Sequence, residues 1–251
     1  MINPLYILFI ILISSVLGSF FNMLIHRLPR NQEIVKKPSH CPKCQHKLTW
    51  LDLLPILSYL FLKGRCRYCR EKIASRYLLV EISSVFLFTT CWLIFGPTYL
   101  FLKYSFFLSI MLLIFFTDLE TKKIPDSLNY ILICTGLFLA FYEHSIIDSI
   151  LGLIIGSFIF LSIGFLAKLY YKKDALGGGD VKLSGAIGAY WGLSIMLFSI
   201  YFSFLIGGLV SIFLIILKKK TNQDYIAFGP FMVLGSILAL LISDYLIILY
   251  F

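Results

Sequence analysis

Long apolar runs, separated by short polar and basic segments, fill most of the chain. Residues 5–25, 78–95, 99–117, 128–142, 149–167, 184–217 and 230–249 are rich in Leu, Ile, Phe and Val. A membrane-crossing helix needs about 20 such residues, within a range of roughly 17–25. These runs therefore predict helices that span a bilayer. The run at 184–217 is long enough for two short crossings. Glycines at 185, 188, 192, 207 and 208 offer several places to break it, and the expected break lies near Ser194. That makes eight predicted crossings. Gly96-Pro97-Thr98 supplies a tight turn between the second and third. The first run is too long for a signal-peptide core and has no basic residue ahead of it, so it is expected to be retained.

Charge then orients the runs. With the N-terminus outside, the cytoplasmic segments are 26–77, 118–127, 168–183 and 218–229. Of the 22 Lys and Arg residues, only Lys103 falls elsewhere, as the positive-inside rule requires. The net charge of +9 thus has a topogenic reading, including Lys218-Lys219-Lys220. Basic blocks beside spans argue against a nucleic-acid partner. Composition agrees. Only 14% of the residues are charged and 59% are hydrophobic, against about 25% charged in soluble domains.

Within 26–77 stand two CxxC pairs, Cys41/Cys44 and Cys66/Cys69. A reducing cytoplasm disfavours disulfides. Four thiolates in paired CxxC elements close a tetrahedral shell around zinc and leave no open position for chemistry. The reading is a structural zinc site. His40 and His46 flank the first pair and read as surface residues. Cys91 and Cys134 read as small packing residues within spans. The intervening LDLLPILSYLFL, 51–62, is too short to cross and is expected to lie at the membrane interface. The fold class is therefore an all-α polytopic membrane protein. It has about eight transmembrane helices, with a small cytoplasmic four-cysteine zinc module between the first and second.

Of the 13 acidic residues, Glu33, Asp52, Glu71, Glu143, Asp148, Asp174 and Asp224 read as loop residues. Asp244 has no assignment. Glu81, at the start of the second span, is expected to pair with Arg76 or to face an internal cavity. Asp118 ends the third span in FFTDLETKKIPD, and Asp180 opens the sixth in ALGGGDVKLSG. Both fall at the cytoplasmic membrane edge. An acid in hydrocarbon costs at least ~2.5–3.5 kcal/mol, so such groups face protein, a cavity or water. Gly177, Gly178 and Gly179 permit positive φ and close backbone approach. They suit an extended peptide held by backbone hydrogen bonds. The run lacks the GxxxxGK[ST] phosphate loop, and no GxGxxG follows a strand. If Asp118 and Asp180 met, they would share one proton. The ionised member would take a proton from water while the neutral member donates to a peptide carbonyl. The sequence alone places the two on one membrane face.

The ordered set of motifs resembles the type IV prepilin peptidases, bifunctional leader peptidases and N-methyltransferases of bacterial membranes. GSFFNMLIHRLPR (18–30), CPKC, CRYC, residues 51–81, DLETKKIPD (118–126) and GGGD (177–180) carry the likeness, which covers nearly the whole chain. Glu120 stands where many relatives have Asp, and Gly178 where Ala is common. The resemblance implies that Asp118 and Asp180 are the catalytic aspartates. It implies a prepilin or pseudopilin substrate, cut on the cytoplasmic side before a residue that is usually Phe. Methylation of the freed amine from S-adenosylmethionine would follow. It also implies a division into residues 1–77, with the zinc and methyltransferase region, and 78–251, the peptidase, in the bacterial inner membrane. Two alternatives stand beside this: a peptidase without methylation, and a zinc-braced transporter. Transporters place their acids near the bilayer midplane, whereas these two lie at one face.

Overall fold

The computed structural model describes residues 4–34, 39–172, 176–217 and 226–250, without the side chains of residues 171 and 244–250. Lys218-Lys219-Lys220, Asp174 and Asp224, and the side chain of Asp244, lie outside the described residues. Helices follow the apolar runs closely. They are α1 (Pro4–Arg27), the short α2 (Leu57–Phe61), α3 (Arg76–Phe95), α4 (Tyr99–Thr121), α5 (Asp126–Tyr142), α6 (Ile146–Tyr171), α7 (Gly178–Ile216) and α8 (Gly229–Tyr250). Among the described residues there is no strand, only two isolated bridges. Five helices (α1, α3, α4, α6 and α7) are long and apolar enough to cross a membrane, and α5 and α8 are shorter apolar helices. Gly96, with φ 59°, forms the expected turn between α3 and α4.

The chain divides into two compact units, Met1–Phe116 and Thr117–Phe251. In the first unit, α1 and α3 run antiparallel. A Cβ on Gly18 would lie 2.8 Å from the Glu81 Cα. The Ser84 hydroxyl donates to Ser14 O at 2.8 Å, and Asn22 Nδ2 donates to Tyr77 O at 2.8 Å. Hydrogen bonds between membrane helices average only about 0.6 kcal/mol. The close backbone approach at glycine therefore carries much of the packing.

In the second unit, α7 has 39 residues and would reach about 58 Å if straight, nearly twice the ~30 Å hydrocarbon core. It is not straight. Gly192, at φ 83° and ψ −179°, interrupts it with a conformation open to few residues other than glycine. The packing shows that the chain reverses there. Ahead of the break, Gly188 meets Gly152 and Ser184 meets Gly156 of α6. After it, Met196 returns to Gly156, and the Phe204 ring stacks on Phe160 at 5.9 Å. Asp148 closes the turn: its Oδ1 accepts the Leu193 N–H at 3.3 Å, and its carboxylate fills the space a Cβ on Gly192 would need. The break thus falls two residues before the expected Ser194, at the glycine that tolerates positive φ. Asp148, expected to be a simple loop acid, is part of this turn.

Candidate active site and metal centre

Asp118 stands in the last turn of α4, where the helix closes through Lys122 at φ 55°. Residues 122–125 then lead through Pro125 into α5. Asp180 stands in the first turn of α7, its N–H donating to Gly177 O at 3.1 Å. Both carboxylates are 4% exposed, and they are near enough for the charge of one to act on the other. The structure thus brings together two acids that are far apart in sequence.

Neighbouring residues fix them. Gly229, at the start of α8, donates its N–H to Asp118 Oδ2 at 3.0 Å. A Cβ there would sit 2.6 Å from that oxygen, so any larger residue would push the carboxylate aside. Ile124 packs against both sides: a Cβ on Gly179 would lie 3.0 Å from its Cβ, and one on Gly229 3.2 Å from its Cδ1. Asn129, fully buried, donates to Gly179 O at 3.4 Å. Lys182 pairs with Asp126 at 2.7 Å on the outside. None of Gly177, Gly178 and Gly179 uses the positive φ that glycine permits; an extended Gly177 leads into the helix. Size matters instead. Gly179 makes room for Ile124, and a Cβ on Gly178 would meet nothing within 4 Å, leaving the backbone open to another chain. Sequence reasoning missed Gly229, Ile124 and Asn129. The Gly229-Pro230 dipeptide is a turn signal and was the available clue to the first.

The cysteines form the second cluster. Cys41, Cys44, Cys66 and Cys69 place their sulfurs within 4.8 Å of one another, and all are free thiols. Cys41 Sγ and Cys69 Sγ are 3.8 Å apart. A tetrahedron of sulfurs at about 2.3 Å from a metal has edges of about 3.8 Å, whereas a disulfide needs about 2.05 Å. The donor set therefore fits a metal. The two CxxC loops are built alike. In one, Cys41 N–H donates to His46 O at 3.0 Å and Gln45 takes φ 58°. In the other, Cys66 N–H donates to Glu71 O at 2.8 Å and Arg70 takes φ 60°. Burial opposes ionisation of the Cys41 thiol, but hydrogen bonds from Cys44, Lys43 and Cys66 outweigh it and bring it down to about 7.

His46 is not among the ligand set; its ring lies 3.6 Å from that of Tyr68. Asp52, expected to be a loop residue, ties the two loops together. It accepts from Thr49 N and Oγ1 at 3.0 and 2.7 Å, from Arg67 Nε at 2.6 Å and from Tyr68 Oη at 3.3 Å. Burial pushes the Asp52 carboxyl up, but the Thr49 bonds and the Arg67 guanidinium prevail and hold it below the ordinary carboxylate range. The segment around it exposes Trp50, Leu53, Leu54, Leu57, Leu60 and Phe61, as an interfacial stretch does. Cys91 is buried as expected, while Cys134 faces outward.

Residues 12–95 match the bacterial peptidase A24 N-terminal domain, and residues 105–212 match the type IV leader peptidase family. A prepilin leader peptidase/N-methyltransferase of Aeromonas hydrophila is 31% identical over 96% of this chain and 92% of its own length. One of Pseudomonas aeruginosa is 30% identical over 95% of this chain and 91% of its own. One of Myxococcus xanthus is 32% identical over 88% of this chain and 66% of its own. No solved structure matches the chain.

Proposed function

This chain belongs to the type IV leader peptidase family, and from that premise we propose that its two buried aspartates, Asp118 and Asp180, are the catalytic pair. The protein is a multi-pass inner-membrane enzyme that cleaves the leader peptide of prepilins or pseudopilins and methylates the new N-terminal residue. The observation that carries the catalytic assignment is the burial of both carboxylates in one unit, each at a helix end and each within electrostatic reach of the other.

The chemistry follows from the pair. Like charges this close share one proton between them. The ionised member takes a proton from a water molecule as its oxygen attacks the scissile carbonyl carbon. The neutral member gives its proton to the carbonyl oxygen. Collapse breaks the C–N bond, and the departing nitrogen takes up a proton. Gly229 holds Asp118 from the side through its N–H. The open backbone at Gly178 is where the substrate's extended residues approach, with Gly177 and Gly179 completing the strip.

The four cysteines would hold zinc with a closed set of four thiolates, and the metal would brace the segment between α1 and α3. S-adenosylmethionine supplies the methyl group when bound. Residues 1–77 carry the metal and methyl-transfer functions and residues 78–251 the peptidase. Reading α7 as two crossings folded at Gly192 gives eight crossings, with the N-terminus outside and the aspartates at the cytoplasmic face, where the basic segments lie.

The test is cleavage of a prepilin by purified wild type, Asp118→Asn and Asp180→Asn, scored by mass spectrometry with and without S-adenosylmethionine. Both variants are expected to keep zinc and fail to cut. The wild-type product is expected to gain one methyl group only with the donor. Cutting at the wild-type rate by either variant would refute the pair.

A further inference from the structure

Glu81 is a carboxylate in the first half of α3, 8% exposed, in a helix long and apolar enough to cross a membrane. Arg76, the expected partner, lies over the Tyr77 ring at 4.7 Å. Among the described residues Glu81 has one hydrogen bond: its Oε2 accepts the Ile56 N–H at 2.7 Å. The backbone it holds is unusual. Ile56 has φ 61° and ψ −52°, and Leu57 N–H donates to Pro55 O at 2.5 Å. This is the γ-turn of positive φ, rare and strained for any residue and more so for a β-branched one. Strain of this kind persists only where surrounding contacts impose it, and it clusters at functional sites.

A second buried polar atom lies about one helical level away. Asn22, 2% exposed, donates through Nδ2 to Tyr77 O, while its Oδ1 is buried without a partner. Asn22 stands one turn beyond Gly18 on α1, and Tyr77 one turn before Glu81 on α3. Side chains lean toward the N-terminus of their own helix, so the Glu81 carboxylate leans toward the Asn22 level. A buried carboxylate with one neutral donor, about one helical level from an unsatisfied amide oxygen, presents acceptors and forms no ion pair among the described residues. Such a site costs free energy until a positive group fills it.

Resting on the methyl-transfer reading, and extending its region past residue 77 into the start of α3 within the same compact unit, we propose that Glu81, backed by Asn22, is the cation-binding group of the methyl-transfer site. The reaction brings two cations: the sulfonium of the donor, and the ammonium form of the cleaved pilin's amino group. The ammonium first gives a proton to water; the neutral amine nitrogen then bonds to the methyl carbon, the C–S electron pair stays on sulfur, and the product leaves as a methylammonium.

The test uses full-length Glu81→Gln, which keeps an acceptor for the Ile56 N–H and removes only the charge. Methylation is measured on a pre-cleaved peptide beginning with Phe, so that cleavage is not required. Binding of S-adenosylmethionine and of S-adenosylhomocysteine, which lacks the sulfonium, is measured by calorimetry. Methylation is expected to fall about 10- to 100-fold, as for loss of a hydrogen bond to a charged partner, with prepilin cleavage and zinc content within about twofold of wild type. If Glu81 faces the sulfonium, the variant loses affinity for S-adenosylmethionine and not for S-adenosylhomocysteine. If it faces the ammonium, both bind normally and the peptide KM rises. Methylation within about twofold of wild type overturns the proposal, as does parallel loss of cleavage or zinc, which would mark a purely structural role. If the wild type transfers no methyl group, the methyl-transfer reading falls and this proposal with it.

Discussion

The cysteine cluster and the aspartate pair each gather reactive side chains, by opposite routes. The cysteines come from two loops of the same design, each closed by its own backbone bonds and a left-handed residue after the second cysteine. Asp52 then joins one loop to the other. Each loop forms locally, so a short stretch of sequence specifies it. The aspartates come from the end of α4 and the start of α7, and the glycine that holds Asp118 lies 111 residues away. No local rule specifies that arrangement. It exists only once α5, α6 and α7 have packed. The first site should therefore fail by losing its metal, and the second by small displacements in helix packing.

The sharpest way to break this contrast is to remove the carboxylates. Asp118→Asn, Asp180→Asn and the double variant are each expected to lower cleavage by about 10³-fold or more, nearly equally, because members of one catalytic unit are not additive. Zinc content, read by atomic absorption, should not change. Next comes Gly229→Ala, which forces the Asp118 carboxylate aside. Cleavage is expected to fall about 10²-fold, the usual cost of misplacing a catalytic group by an ångström, while methylation of a pre-cleaved peptide stays intact. A matching loss of methylation would mean the two sites are not separable.

Cys44→Ser or chelation tests the other side. Residues 39–75 should become sensitive to protease and methylation should collapse, with cleavage reduced less than about tenfold, since ligand loss removes the folding energy of the metal site and not of the helices. Asp52→Ala should destabilise the same segment by about 1–2 kcal/mol, a figure discounted because Arg67 is partly exposed, read as faster zinc release to a chelator. The smallest effect concerns pH. The folded Asp52 carboxyl lies below its ordinary range, so its contribution is present above the unfolded value near 3.9 and lost as pH falls through the folded value. The difference between wild type and Asp52→Asn in proteolysis of residues 39–75 should shrink as pH falls below about 4, and its persistence would remove Asp52 from the account.

Much of this was legible in the residues because the governing signal is local. Apolar run length gave the helices to within a few residues, and CxxC spacing gave the cysteine cluster. Asp118 and Asp180 stood out because acids are costly at a membrane edge. What was hidden depends on distant contacts. Gly229 reads as a turn glycine until Asp118 sits against it. Asp52 reads as a loop acid until Thr49, Arg67 and Tyr68 converge on it. Glu81 suggested a partner in Arg76, five residues away on its own helix, and met the backbone of Ile56 instead. The break in α7 was narrowed to five glycines, and only the return of the chain along α6 selects Gly192.

That reversal bears on how the protein enters the membrane during synthesis. The stretch before it, residues 178–191, rises about 21 Å, less than the ~30 Å hydrocarbon core, and carries Asp180 in its first turn. Emerging alone from the ribosome, it is a poor substrate for the insertion machinery. It becomes a good one only when residues 193–216 follow, so the two halves must partition together as a hairpin. On the proposed orientation, a nascent chain stopped shortly after Gly192 should leave that first half on the cytoplasmic side, with the second aspartate never delivered to its place.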